Sequence, residues 1–377
     1  MPRDYQKHKE TFREFKTRMI DPISESYCAA KWYNATIWLG HGQTASCHHP
    51  PAHKIDASEL ENNPSAIHNT QHKKQMRKLM LEGERPNECE YCWKVEDMAR
   101  DAVSDRVFKT HIHSDEDIIA STKMNWQDNS KLNTLEISFE RTCNFACSYC
   151  NPAFSTSWVK DINRNGGYKN IVSDGRGHFI DNAPWAASPK NEEDNPYIQA
   201  FWKWWESELA DSLEEIRITG GEPLMAKSVW KLFEWFKNNP DRGRNMRFAI
   251  NSNLVPKKEI LDKLIELSHD IPHLEIYTSN ESKGLHSEYI RDGMDYDQWF
   301  ENLERLQTEG NVHSLHCMMT INSLCLASIT EFMDDILAFK IKHNTRSPTM
   351  SLNIMRFPSF QSAAILPDSM KKYYKDK

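Results

Sequence analysis

Three cysteines within eight residues, Cys143-Asn-Phe-Ala-Cys147-Ser-Tyr-Cys150, carry the densest chemistry in the chain. Thiolates are soft metal ligands, and three of them can hold three corners of a cubane iron–sulfur cluster while the fourth iron stays open to a cofactor or substrate. A four-thiolate site would be closed. Tyr149 sets an aromatic ring directly before the last cysteine. Four more cysteines lie upstream: Cys28, then Cys47 beside His48 and His49, then the pair Cys89-Glu-Tyr-Cys92. Together they suit either a structural zinc or an iron–sulfur cluster, and spacing alone does not choose between these. His48 or His49 could also stand in for one of them. A third element is Thr219-Gly220-Gly221-Glu222-Pro223. Paired glycines let backbone approach a ligand closely, and a carboxylate suits an ammonium partner.

The residues around these groups must hold them in place. From Leu132 onward apolar residues alternate in six short runs: Leu135/Ile137/Phe139, Ile216/Ile218, Met246/Phe248/Ile250, Leu274/Ile276/Thr278, Leu315/Cys317/Met319/Ile321 and Leu352/Ile354. Period two predicts strands. Helical faces fall between most of them: Val229, Leu232, Phe233 and Phe236; Ile260, Leu261, Leu264 and Leu267; Trp299, Leu303 and Leu306. Ser328-Ile-Thr-Glu331 reads as a capping box for the helix before the last strand. Strand–helix alternation implies a parallel sheet, flat or curled into a barrel, with chemistry in the loops after strand C-termini. The cysteine triplet and the Gly-Gly-Glu string both stand in such loops. Cys317 reads as a core residue and Cys325 as preceding a helix. More than 70 residues separate the first two strands, including a polar stretch from Asp161 to Asn195, and an insertion of that length in a compact domain is usually functional or mobile. Phe201-Trp-Lys-Trp-Trp205 reads as the helix leading into the second strand, its tryptophans in the core.

The N-terminal part, about residues 1–125, shows no convincing series of strands. A helix is predicted from about Gln71 to Glu82, ended by Gly83, and the polar stretch His113 to Lys131 reads as a connector. The expected organisation is an N-terminal cysteine-rich domain over 1–125, a catalytic domain over 126–360 with an insertion at about 155–200, and a tail over 361–377. With 39% hydrophobic and 27% charged residues the chain has an ordinary globular composition. A formal charge of −7 argues against a general nucleic-acid footprint. No apolar run approaches the roughly 20 residues needed to span a bilayer, and the first residues lack the apolar core of a secretory signal. A cytoplasmic location is therefore expected, where clustered cysteines serve as metal ligands rather than disulfides.

The motif CxxxCxφC, with φ aromatic, resembles the signature of the radical S-adenosylmethionine (SAM) superfamily, and the Gly-Gly-Glu string one strand later resembles that family's GGE motif. The resemblance implies an α/β fold, a partial (β/α)6 TIM-like barrel, with Cys143, Cys147 and Cys150 on a 4Fe–4S cluster whose open iron binds SAM. It further implies that Gly220, Gly221 and Glu222 hold the SAM amino group, and that Ser252 and Asn253 contact the ribose. His286-Ser-Glu-Tyr289-Ile-Arg291-Asp-Gly resembles a stretch of members with auxiliary clusters, where Arg291 would pair with the SAM carboxylate. Reductive cleavage of SAM would give a 5′-deoxyadenosyl radical that abstracts hydrogen from a substrate. The segment from Cys28 to Cys92 resembles SPASM/twitch-type auxiliary-cluster segments, here placed before the barrel rather than after it, which favours a second 4Fe–4S cluster over zinc. The expected activity is that of an oxidoreductase or maturase acting on a peptide or protein side chain. Dehydrogenation or epimerisation of a small molecule such as a sugar or alcohol is the alternative, and an external electron donor such as flavodoxin or ferredoxin is implied. A zinc-binding nucleic-acid or protein interaction module is the rival of another class. It fits less well, because 54 residues lie between Cys92 and Cys147 and Cys143 would be left over.

Overall fold

Most of the alternating runs become strands in the computed structural model, which describes residues 10–99, 101–189 and 191–376. The chain divides into two units, Met1–Ile137 with Pro189–Ile216 and Ser138–Ser188 with Arg217–Lys377.

In the first unit β1 (Asn34–Trp38), β2 (Gln43–Ala45) and β3 (His53–Lys54) form an antiparallel meander, a set of strands that the sequence pattern did not predict. They are too short to show alternation, and β1 is buried on both faces. The predicted helix forms over Gln71–Leu81, with the Thr70 hydroxyl accepting from the Lys73 N–H and Gly83 beyond its end at φ +85°. The stretch expected to be a connector holds a further helix, Asp115–Lys123. Ser114 caps it, three acidic residues occupy its first turn, and Ile118 and Ser121 are buried. Phe201, Trp204 and Trp205 are buried in the helix Pro196–Trp204 and the wider turn that follows. A cluster of Phe15, Tyr27, Trp32, Tyr33, Met80 and Trp93 surrounds Cys28, Cys89 and Cys92.

The boundary between the units falls within β4 (Thr134–Ser138) and β6 (Glu215–Thr219). Between them lies β5 (Ala146–Cys147). The second unit continues with β7 (Arg247–Ser252), β8 (Leu274–Ser279), β9 (Arg291–Asp292), β10 (Ser314–Ile321) and β11 (Thr349–Ile354). β7 pairs with β8, β8 with β10 and β10 with β11, all parallel, so the fold is mixed α/β with a parallel sheet. Helices Lys227–Asn238, Lys258–Ser268, Tyr296–Glu309 and Ile329–Lys342 bury the apolar faces read from the sequence. One local expectation fails. Ser328 caps nothing with its side chain, because its hydroxyl accepts the Lys283 N–H at 3.2 Å instead. Leu352 and Ile354 are 61% and 72% exposed, because β11 is the edge strand and most of its residues face solvent. Among the described residues, no helix is long and apolar enough to cross a membrane.

Candidate active site and a second cysteine site

The cysteine triplet sits in the loop after β4, and three separate devices shape that loop. Ala146 and Cys147 pair antiparallel with Asp292 and Arg291, and the Ser148 N–H donates to the Ile290 carbonyl at 2.7 Å. The first turn of the helix Thr156–Asn165 lies behind it: the Cys143 N–H donates to Thr156 Oγ1 at 3.0 Å, the Ser157 hydroxyl to the Cys143 carbonyl at 2.9 Å, and Trp158 Nε1 to the Cys147 carbonyl at 2.9 Å. Gln361, far along the chain, donates to the Ser148 carbonyl and accepts from its hydroxyl. The three thiols lie close enough to act on one another electrostatically. Burial pushes Cys143 up to about 11 and raises Cys147 and Cys150 as well, so metal binding here must displace protons. The Phe145 N–H points at Cys143 Sγ at 3.4 Å and Arg291 Nη1 at Cys147 Sγ at 3.9 Å. Donors to sulfur of this kind support thiolate ligands. Three half-buried soft ligands in one loop fit a cluster with an open corner.

The Gly-Gly-Glu string follows β6. Its glycines are required by the chain itself: a Cβ on Gly220 would lie 2.6 Å from Ser138 Oγ, and one on Gly221 would lie 2.2 Å from the Thr142 carbonyl oxygen. The close approach they permit is to the backbone that leads into Cys143, where the Glu222 N–H donates to the Thr142 carbonyl at 2.7 Å. The Glu222 carboxylate, 2% exposed, accepts from the Ser252 hydroxyl at 2.8 Å, the Asn253 N–H at 2.7 Å and the Leu224 N–H at 3.1 Å. Burial raises its pKa to about 7 against the pull of those three donors. Ser252 therefore spends its hydroxyl on Glu222 and is itself buried. Asn253 joins its side chain to Asn144, within the cysteine loop, at 2.7 Å.

Arg291 is not a surface residue. It is 4% exposed and pairs with Glu281 at 2.7 Å, while Tyr149 donates its hydroxyl to the same carboxylate at 3.2 Å and lies beneath the guanidinium at 5.4 Å. Burial opposes the charge on Arg291, yet Glu281, Tyr149 and Cys147 together hold its pKa above the ordinary value. Glu281 was missed by sequence reading. Its only signal was its place just after a strand C-terminus. Cys317 is buried, its thiol against the Asn280 carbonyl, and Cys325 is buried at a short helical turn.

In the first unit Cys28, Cys47, Cys89 and Cys92 line one cavity together with Lys31, His49, Asp105, Arg106 and Lys109. Cys28 precedes the turn of helix Ala30–Tyr33, Cys47 follows β2, and Cys89 and Cys92 sit at and just inside the start of helix Glu90–Met98. Backbone N–H groups of Ala30, His49 and Arg106 hydrogen-bond Cys28, Cys47 and Cys92. Burial pushes Cys28 up to about 12 and Cys89 to about 11. Four thiols with N–H donors and cationic walls fit an anionic tetrathiolate centre. His48 and His49 turn away to Asp105, at 3.3 and 2.6 Å, and among the described residues these three form a compact group of potential ligand atoms without any cysteine.

No curated protein matches the chain. Among solved structures it is similar to Streptococcus suis SuiB, at 13% identity and a TM-score of 0.42, covering 94% of this chain and 67% of that one. The SuiB structure with bound S-adenosylmethionine aligns at 13% identity with a TM-score of 0.41, over 94% and 68%. Native anSMEcpe with bound AdoMet aligns at 13% identity and 0.36, over 58% of this chain and 50% of its own. The family model matches a segment that starts beyond the cysteine loop and takes in the Gly-Gly-Glu string, Ser252, Asn253, Glu281 and Arg291. Residues 198–336 match the Radical SAM superfamily model.

Proposed function

We propose that Cys143, Cys147 and Cys150 ligate the SAM-binding 4Fe–4S cluster, and that the chain uses it to abstract hydrogen from a peptide or protein side chain. The observation that carries the site assignment is the joining of the two motifs: the Glu222 backbone bonds to the cysteine loop at Thr142, and its carboxylate is fixed between Ser252 and Asn253. The cluster and SAM, when bound, supply reductive cleavage of the sulfonium to a 5′-deoxyadenosyl radical. The chain's own groups bind and orient. Glu222 receives the SAM ammonium, for which a buried, pre-positioned carboxylate is suited. Ser252 acts through Glu222 by holding its carboxylate, and Asn253, which ties Glu222 to Asn144 in the cysteine loop, is assigned to the ribose. The Arg291–Glu281–Tyr149 assembly holds the loop around Cys147, and Arg291 and Tyr149 are assigned to the SAM side of that loop. The β/α repeats of the second unit form a partial barrel around this site.

The first unit's four cysteines are assigned to an auxiliary 4Fe–4S cluster of SPASM/twitch type, with an external one-electron donor of the flavodoxin or ferredoxin kind serving the enzyme. The peptide or protein substrate rests on the likeness of the Cys28–Cys92 segment to auxiliary-cluster segments. Anaerobic purification tests the whole reading. The expected protein is brown, holds about eight irons per chain for two cubanes, and releases 5′-deoxyadenosine from SAM under strong reductant. A colourless protein containing only zinc, or one that leaves SAM intact, would refute it.

A further inference from the structure

Lysine is almost never fully buried unless paired, and an ammonium taken out of water costs several kcal/mol even after relaxation. Lys31 is 1% exposed. It stands three residues after Cys28, on the one-turn helix Ala30–Tyr33, and lines the same cavity as all four thiols. Its carboxylate partner is Glu88, the residue before Cys89, and Lys31 and Cys89 line the same cavity. Glu88 is not devoted to Lys31, since His72 Nε2 contacts its other oxygen at 2.5 Å. The charge of Lys31 is therefore shared between one carboxylate and the sulfur wall of the cavity.

The other charged groups around the cavity are otherwise engaged. Arg106 holds Glu96 by two nitrogens at 2.7 Å and the Tyr27 carbonyl at 2.7 Å. Asp105 holds the two histidines. Lys109 stands on the Asp105–His111 helix beside Asp105 and Cys47. Lys73, 1% exposed, donates to Thr44 and His68, both neutral acceptors. Donors to Cys28, Cys47 and Cys92 come from backbone. Lys31 is the buried cation whose carboxylate partner directly precedes one of the four cysteines, Cys89.

We infer that Lys31 tunes the four-cysteine centre: its ammonium, held in the cavity wall by Glu88, favours the reduced and more negative form of a tetrathiolate iron–sulfur cluster and so raises its reduction potential. This rests on the assignment of the auxiliary cluster made above. On reduction one electron enters from the reductant, the cluster gains one negative charge, and no bond is made or broken. A positive charge in the wall of the cavity stabilises that extra charge in a site with little water to screen it.

The test uses the full-length chain carrying Cys143→Ala, Cys147→Ala and Cys150→Ala, reconstituted anaerobically so that only the first unit's cluster remains, and titrated with dithionite while the reduced signal is followed by EPR. Lys31→Met should lower the reduction equilibrium constant about tenfold or more, a fall of about 59 mV for a one-electron couple. Lys31→Arg should keep the parent midpoint. Glu88→Gln should move it upward, because a negative charge is lost beside the cation. A purely structural ion pair predicts no midpoint change, or shifts of the same sign in Lys31→Met and Glu88→Gln, and either result overturns the inference. If Lys31→Met takes up no cluster, Glu88→Gln decides: an unmoved midpoint there is equally fatal. A parent chain that holds no iron, or zinc in its place, overturns instead the cluster assignment on which the inference rests.

Discussion

The two cysteine sites solve the same ligand problem in opposite ways. In the second unit three thiols come from one eight-residue loop, and the fold only has to brace that loop from β9, from the helix Thr156–Asn165 and from Gln361. In the first unit four thiols come from three segments spread from Cys28 to Cys92, and the fold has to bring those segments together around a buried core. The electrostatics differ as well. At the loop the nearest buried cation, Arg291, is neutralised by Glu281, so Cys147 meets an ion pair. At the four-cysteine site Lys31 lines the cavity with Cys89, its carboxylate shared. On the proposed assignments, the three-cysteine site that would admit a cofactor meets a neutralised ion pair, whereas the four-cysteine site has a lysine in its wall.

That contrast can be broken in graded ways. The largest effect is expected at the loop: replacing any one of Cys143, Cys147 or Cys150 by Ala should abolish 5′-deoxyadenosine production, measured by chromatography after anaerobic reconstitution. Retained production in any of the three would contradict the ligand set. Replacing Cys89 and Cys92 together should be milder, lowering iron content by about half while leaving uncoupled SAM cleavage, as expected if one of two four-iron clusters is lost. Unchanged iron in that double variant would remove the second cluster.

The next effect concerns the brace. Removing one partner of a buried ion pair leaves an uncompensated charge, so Arg291→Met or Glu281→Gln should each destabilise the apoprotein by about 3–5 kcal/mol in urea unfolding, and the double change should recover part of it. Additive losses in the double variant would show that the pair is not coupled.

The smallest effect is a pH slope. Glu222 has its carboxyl raised from 4.5 to about 7 in the fold, so the native state holds its proton more tightly than the unfolded chain does. The apoprotein should therefore lose stability as pH rises from about 4.5 to about 7, by about 3 kcal/mol from this group, and be level above that. Glu222→Gln should flatten the slope. An unchanged slope would mean that the buried carboxylate does not titrate in that window.

Much of the second unit was legible because its signals are local. Period two in Phe248/Ile250 or Leu274/Ile276 and period 3.6 in Val229/Leu232/Phe233/Phe236 each record one element's buried face, and all of these became strands and helices with those faces covered. The same logic marked a strand at Leu352 and Ile354 but left their exposure open, since alternation does not say whether anything covers a strand's apolar side. It was silent on β1 to β3, which are too short to show a period, β1 being buried on both faces as well. Ser328 shows the limit at single-residue scale: the capping pattern is present, but Lys283 takes the hydroxyl.

By itself the sequence determined the identity and spacing of the clustered cysteines, the glycines that follow β6, and the helix and strand faces, because each is a property of a few neighbouring residues. Only the tertiary structure decided that Glu222 is held by Ser252 and Asn253, that Arg291 is claimed by Glu281 beneath Tyr149, and that Lys31 shares a cavity with Cys89. Those partners are separated by at least 10 residues, and a charge or a hydroxyl has no periodic signature. What such a group does is set by which other group the packed chain brings within about 3 Å of it.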